Sequence, residues 1–302
     1  MHIPDGFLST PVWLSLDVVV APIVGYAGRF ARKDADESKA PLLGVMGAFV
    51  FAAQMINFPV GLGVSGHLVG GALLAYTLGA APAVIVLTAI LSLQALVFQD
   101  GGLLALGANI FNMAIVGVGA AYLPYRYWGA GSRRRAAMFL GGALSVFAAA
   151  CLALTELLLS GIQMSSSVLL LSLGLFLANA LAEGVITVAV IEALNRLNPE
   201  WVRRPARSGR RALGALAIAA LLLTCVGVLF ASAAPDGIEQ LAEKIGIRGR
   251  AFSLWSTPLA GYRAGFLGST WGSQVVAGLA GLALIVIACL LLARLLARRK
   301  SA

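Results

Sequence analysis

The sequence predicts an all-α integral membrane protein: a seven-helix bundle followed by a two-helix C-terminal unit with an extracytoplasmic segment. Three observations predict this fold class. Hydrophobic residues make up 60% of the 302-residue chain and charged residues only 12%, whereas a soluble domain has about 25% charged residues. The mean hydropathy is +0.91. The net charge of +9 resides in short basic clusters between long apolar runs, so it does not indicate nucleic-acid binding.

Nine apolar stretches are candidates for membrane helices. A helix needs about 20 residues to cross a ~30 Å hydrocarbon core, and fewer suffice in irregular or re-entrant segments. The stretches cover approximately residues 10–29, 42–58, 66–79, 83–99, 104–122, 136–159, 167–194, 212–232 and 272–294. The third is short, and Pro82 makes it hard to separate from the fourth. The 35 glycines favour close packing between helices in lipid.

Lysine and arginine cluster at the ends of alternate helices, which predicts the orientation of the chain. The segments after the first, fifth and seventh helices read RFARKDADESK, YRYWGAGSRRR and RLNPEWVRRPARSGRR, and the chain ends RLLARRK. The segments FPVGLGVSG, QDGGLLALG and SGIQMSSS, which follow even-numbered helices, contain neither Lys nor Arg. We therefore expect a multi-pass protein of the cell membrane with its N-terminus outside and its C-terminus in the cytoplasm.

Two motif searches exclude some classes of function. Cys151, Cys225 and Cys289 each lie inside an apolar run, so we interpret them as small hydrophobic residues and not as a disulfide framework or a CxxC metal site. The chain has no GxxxxGK followed by Ser or Thr, so it cannot bind ATP through a Walker motif. Any ATPase must be another subunit.

The two histidines of the chain, His2 and His67, are both predicted to lie on the outer side. The Met1 amine and the His2 backbone nitrogen can close a five-membered chelate ring on a metal ion, and that nitrogen and His2 Nδ1 can close a six-membered ring. The planar peptide keeps these three nitrogens nearly coplanar, and His67 can supply a fourth. A planar all-nitrogen site suits Ni²⁺, Cu²⁺ or low-spin Co²⁺. The alternative is that His2 is a solvated residue at a frayed terminus.

Turn residues and polar side chains support this chelate. Residues 4–6, Pro-Asp-Gly, predict a turn that tucks the terminus inward. Asn57 and Ser65 flank the His67 loop and are candidates for orienting its imidazole from a second layer around the metal. Asp100 either fixes the turn in FQDGG or adds negative charge that attracts a divalent cation. Glu183 is the deepest carboxylate by sequence and has no assignable partner.

Three motifs give the chain a specific resemblance. MHIPDGFL at the start, AQMINFPVGLGVSGHLVGGAL at 53–73 and LVFQDGGLLALGANIFNMAIVG at 96–117 are similar to those of the CbiM/NikM family, the substrate-binding membrane components of energy-coupling-factor cobalt and nickel importers. The likeness covers roughly residues 1–200. The last third, with PDGIE after the basic linker, resembles the PDGLE domain of the accessory N component. We expect a CbiM/NikM-like metal-binding membrane domain at 1–205 and an N-component-like domain at 206–302.

The resemblance implies ligands, substrate and partners. Met1, His2 and His67 stand where the family has its metal ligands, with Ni²⁺ or Co²⁺ as the substrate and no permanent cofactor. The implied partners are a transmembrane coupling component, called T or Q, and ATPase subunits, called A or O. The C-terminal domain is expected either to help load metal or to stabilise the open site.

The predicted function is therefore the substrate-binding membrane component of an ATP-driven cobalt or nickel importer, and not an enzyme. The alternative is a membrane metal sensor or metal chaperone, which would bind the ion without transporting it. A membrane metalloenzyme is disfavoured, because both histidines are assigned to ligation and no HExxH is present. The four nitrogens exclude neither cobalt nor nickel.

Overall fold

The structure, a computed structural model, describes residues 1–33, 40–197 and 210–298. This part of the chain folds into α-helices with one small β-hairpin. The helices are α1 (Thr10–Lys33), α2 (Ala40–Gln54), α3 (Gly71–Leu78), α4 (Ala80–Leu93), α5 (Leu106–Asn109), α6 (Val118–Trp128), α7 (Arg134–Leu159), α8 (Ser166–Leu197), α9 (Arg210–Cys225), α10 (Gly237–Lys244) and α11 (Thr270–Arg298). The strands are β1 (Phe58–Gly61) and β2 (Val64–Gly66).

Seven helical stretches of the described part are long and apolar enough to cross a membrane, so the prediction of an all-α integral membrane protein is confirmed. Each of the nine predicted apolar stretches contains a helix, but two of these helices are short. The helix α2 has 15 residues. The helix α3 has only eight, which is about 12 Å of helix and too little to span the hydrocarbon core. The predicted domain boundary between residues 205 and 206 lies outside the described residues.

The β-hairpin at 58–66 was not predicted, and it occupies the connection expected between the second and third apolar stretches. Pro59 has no N–H to continue a helix, which favours a strand here. The two strands pair antiparallel, with Phe58 opposite Gly66. Leu62 and Gly63 in the turn both have positive φ, 50° and 73°, as tight hairpin turns require. The hairpin leads the chain directly to His67.

Two π-helical stretches interrupt the helices of the bundle. Residues Gln94–Phe98 extend α4, and residues Ile110–Gly117 join α5 to α6. Single π turns inside α-helices often occur at functional sites. The loop between these two stretches carries Asp100, so the irregular helices bracket a residue that the sequence singles out.

The C-terminal unit packs closely against the bundle through α2. A methyl group added at Gly281 of α11 would collide with the ring of Phe51 in α2, and one at Gly47 of α2 would lie 3.0 Å from Cys289 Sγ. Small residues allow this close approach of helices in lipid. We call residues 226–269, which join α9 to α11, the interhelical segment. Within this segment α10 begins directly after Asp236, whose side chain caps its first turn.

Candidate metal centre

The structure brings Met1, His2 and His67 together at one buried place. The Met1 nitrogen lies 2.8 Å from His67 Nε2, although 66 residues separate them. The imidazole rings of His2 and His67 stack with centroids 5.4 Å apart and planes inclined by 3°. The three residues are 5%, 8% and 5% exposed, respectively. A frayed, solvated terminus would show neither this burial nor these contacts.

The distance between the Met1 nitrogen and His67 Nε2 suits a hydrogen bond and also fits two neighbouring ligands of one ion. Metal–nitrogen bonds to imidazole are about 2.0 Å long, and two such bonds at a right angle separate their nitrogens by about 2.8 Å. An ion can therefore replace the proton between the two nitrogens with little movement of either group.

The N-terminal segment is held by hydrogen bonds along its length. The backbone N–H of Ile3 donates to Asn109 Oδ1 at 2.8 Å, and Asn109 Nδ2 donates to Ile3 O at 3.0 Å. The carboxylate of Asp5 accepts hydrogen bonds from the backbone N–H groups of Leu103 and Leu104, just before α5. The predicted turn at residues 4–6 is present, with Gly6 at φ 92°. These contacts fix the position of the Met1–His2 peptide.

The imidazole of His67 is set up to offer Nε2 as an acceptor. Its Nδ1 lies 2.9 Å from the carbonyl of Leu68, so the tautomer with the proton on Nδ1 satisfies this contact and leaves the Nε2 lone pair free. Burial, together with the positive Met1 amine and His2, lowers the pKa of His67 from 6.5 to about 3. His67 is therefore neutral at physiological pH, which is the state that binds metals.

Two carboxylates contact the His2 imidazole and the Met1 amine. Asp100 Oδ1 lies 3.1 Å from His2 Nδ1, and the hydroxyl of Tyr262 donates to Asp100 Oδ2 at 2.6 Å. Burial alone would raise the pKa of Asp100, but His2 and the Tyr262 hydrogen bond lower it well below its usual range. Asp236 Oδ2 forms an ion pair with the Met1 amine. Burial opposes ionisation of Asp236 as well, yet the charge and hydrogen bond of the Met1 amine lower its pKa. Both carboxylates are thus ionised.

Comparison with known proteins places the chain in a family. The family model described as "Cobalt uptake substrate-specific transmembrane region", CbiM, matches residues 2–201. The chain belongs to the CbiM family. A second model, for the PDGLE domain, matches residues 210–298, so the CbiM region is fused to a PDGLE region, as the sequence predicts. This is a family of transport membrane components and not of enzymes.

Relatives of this CbiM-family chain are metal transport proteins. The chain is 31% identical over 330 aligned positions to the fused nickel transport protein NikMN of Rhodobacter capsulatus, covering 95% of each chain. It is 34% identical to a cobalt transport protein CbiM of Pelobacter propionicus over 66% of this chain and 93% of that one. A crystal structure of a truncated transition metal transporter aligns with a TM-score of 0.57 and 31% identity, covering 65% of this chain and 99% of that chain.

Two of the polar residues singled out by the sequence, Asn57 and Ser65, form hydrogen bonds with the interhelical segment. The hydroxyl of Ser65 donates to Ala234 O at 2.7 Å, so its proton is used on the interhelical segment and not on the His67 imidazole. The carbonyl of Asn57 accepts from the N–H of Ser232 at 2.8 Å. Both residues therefore connect the region of the hairpin to the interhelical segment.

Sequence reasoning missed Asp236 and Tyr262 as neighbours of the site. Both belong to the interhelical segment. Asp236 contacts the Met1 amine directly, and Tyr262 contacts Asp100, which in turn contacts His2. Met1 and His2 are more than 200 positions away from them in the sequence. The signal for Asp236 was the PDG motif, which we used only to recognise the domain. Among the described residues, no group of three or more His, Cys, Asp and Glu side chains is arranged to hold a metal ion.

Proposed function

We propose that this chain is the substrate-binding membrane component of an ATP-driven importer of Ni²⁺ or Co²⁺. The ion binds to four nitrogens: the Met1 amine, the His2 backbone nitrogen, His2 Nδ1 and His67 Nε2. The observation that carries the proposal is the buried contact of 2.8 Å between the Met1 nitrogen and His67 Nε2. The transport of nickel and cobalt by relatives supports the choice of substrate.

Metal capture then requires an exchange of partners. His2 Nδ1 must leave Asp100, and the Met1 amine must lose its proton and its ion pair with Asp236. The His2 amide must also lose its proton before it can bind the ion. The two carboxylates remain beside the site, where their charge offsets that of the divalent ion. Because ligands are deprotonated, binding releases protons and affinity rises with pH.

The interhelical segment is proposed to hold the metal-free site in order until the ion arrives. Asp236 binds the Met1 amine, and Tyr262 holds Asp100 against His2. The same segment also bonds to the hairpin and to the N-terminal segment, because Ser65 N–H donates to Pro235 O at 2.9 Å and Phe252 N–H donates to Asp5 O at 3.3 Å. These contacts favour stabilisation of the open site over a separate loading step.

Energy for transport is proposed to come from partner subunits, a transmembrane coupling component and ATPases, because the sequence has no Walker motif. Capture from outside follows from the basic clusters, which predict an outer position for the N-terminus. Import with partners present would distinguish this function from that of a sensor or chaperone.

The test uses His67→Ala in the full chain. Loss of one of four ligands is expected to lower Ni²⁺ affinity by at least 10–100-fold, the usual cost of losing a residue that merely orients a ligand. Equilibrium dialysis with elemental analysis measures binding, and radioactive Ni²⁺ uptake in cells expressing the coupling and ATPase subunits measures transport.

The control is Glu156→Gln, a buried change in α7 away from the site. If His67→Ala retains near-stoichiometric Ni²⁺, the proposed site is wrong. Binding without any uptake by the wild-type chain would instead favour a sensor or chaperone.

A further inference from the structure

A fully buried carboxylate in the middle of α8 contacts the backbone of the residues just after His67. The side chain of Glu183 is 0% exposed, and it lies 17 residues, or about 26 Å of helix, after the start of α8 at Ser166. Its Oε2 accepts the N–H of Val69 and its Oε1 accepts the N–H of Gly70, each at 2.8 Å. One carboxylate therefore binds two successive backbone amides.

The backbone at Gly70 makes this double contact possible. Gly70 has φ 77° and ψ 4°, a left-handed conformation that turns two neighbouring N–H groups towards one concave side, where an anion binds. A side chain here would be strained by the backbone angle and would also meet Val50, which lies 2.5 Å from the position of an added Cβ. The glycine and the carboxylate thus form one unit.

Two further side chains fix the same stretch of backbone. Gln54 of α2 donates to Val69 O at 2.7 Å. Asn179, one helical turn before Glu183 on the same face of α8, donates to His67 O at 3.4 Å. The Nδ1 atom of His67 in turn lies within hydrogen-bond distance of Leu68 O. The direction of His67 Nε2 therefore depends on a backbone that α2 and α8 hold.

Another buried carboxylate in a helix of the bundle, Glu156, provides a comparison. Glu156 in α7 is 5% exposed and accepts one hydrogen bond from Asn112 at 2.9 Å, while its Oε1 has no partner among the described residues. Ionisable groups at membrane depth are costly and usually serve a function. Both oxygens of Glu183 accept hydrogen bonds from the backbone just after His67. The hydrogen bond that Glu156 accepts comes instead from the Asn112 side chain.

We infer that Glu183 is a positioning residue of the metal site: its carboxylate fixes the backbone of Val69 and Gly70 and so holds His67 Nε2 at bonding distance from the Met1 nitrogen. This inference rests on the proposed function. Glu183 touches no metal ion itself. Its removal is expected to leave the N-terminal chelate of three nitrogens intact while displacing the fourth nitrogen.

The test is Glu183→Gln in the full chain, purified in detergent, because glutamine keeps the shape but offers one oxygen in place of two. We expect Ni²⁺ affinity to fall by about 10–100-fold, and the visible absorption of bound Ni²⁺ to change as a planar four-nitrogen environment loses His67. The matched control Glu156→Gln should change neither. Unchanged affinity and spectrum in Glu183→Gln would overturn the inference.

A double-mutant cycle separates positioning from general destabilisation. It uses Cu²⁺, which binds nitrogen sites more tightly than Ni²⁺, so that a three-nitrogen site remains measurable. Glu183→Gln should lower Cu²⁺ affinity in the wild-type background and have no effect in the His67→Ala background. Equal losses in both backgrounds would show that Glu183 acts on the fold as a whole, which would overturn the inference. If Glu183→Gln does not fold, Glu183→Asp keeps the charge but withdraws the oxygens, and a wild-type spectrum there would overturn it too.

The same series tells the two proposals apart. If His67→Ala loses Ni²⁺ affinity and Glu183→Gln does not, only the positioning role fails. If His67→Ala itself binds Ni²⁺ like the wild type, the proposed metal site fails, and the positioning role fails with it.

Discussion

Fusing any residue ahead of Met1 converts its amine into an amide, whose nitrogen cannot bind a metal ion while it keeps its proton and carries no charge for Asp236. In the structure this nitrogen is buried, 2.8 Å from His67 Nε2 and paired with the Asp236 carboxylate. An N-terminal extension therefore removes one of the four proposed ligands and also breaks the ion pair. The helices are untouched by the change, so the protein is expected to insert and fold.

The size of the effect follows from these contacts. Losing a residue that only orients a ligand typically costs 10–100-fold in metal affinity, and the amine is proposed as a ligand. We expect Ni²⁺ binding to weaken by at least about 100-fold, which corresponds to about 2.8 kcal/mol at 1.4 kcal/mol per tenfold.

The assay compares one tag at two positions by calorimetric titration with Ni²⁺. The tag placed after Ala302 is expected to be harmless. Cutting the N-terminal tag with a protease that leaves Met1 free should restore binding, which controls for misfolding. A front-tagged protein that binds Ni²⁺ as tightly as the untagged chain would refute the chelate and leave His2 as an ordinary terminal residue.

Two further predictions concern the C-terminal unit and acid. Removal of residues 206–302 is expected to leave a folded protein that still binds Ni²⁺, while uptake with partner subunits falls; unchanged uptake would show the unit to be dispensable. Burial lowers the pKa of His67 from 6.5 to about 3. Between these two pH values His67 binds a proton in the unfolded chain but not in the folded, metal-free chain. The folded state therefore loses stability as pH falls below 6.5. The thermal midpoint of His67→Gln should therefore fall less than that of the wild type between pH 6.5 and about 4.5, above the range where Asp100 and Asp236 protonate. Equal falls would contradict a buried neutral His67.

The sequence alone determined the class of fold and nominated the central residues of the site. Long apolar runs must form helices in lipid, because every backbone N–H and C=O has to be satisfied within the segment. The chelate chemistry of an N-terminal Met-His pair pointed to Met1, His2 and His67 without any structure, and the structure brings these three together. The assignment of metal to them stays a prediction.

Tertiary structure alone decided what surrounds these residues. The contact between the Met1 amine and Asp236 spans 235 positions, and the contact between Glu183 and Val69 spans 114. Neither leaves a periodic or local pattern in the sequence, because each depends on where two distant helices or loops meet. The hairpin at 58–66 was hidden for a related reason: it is short, and its pairing, its Gly66–Asn179 packing and its attachment to the interhelical segment come from the fold around it. Hydrophobicity is a property of each segment, whereas the partner of a buried charge is a property of the assembled chain.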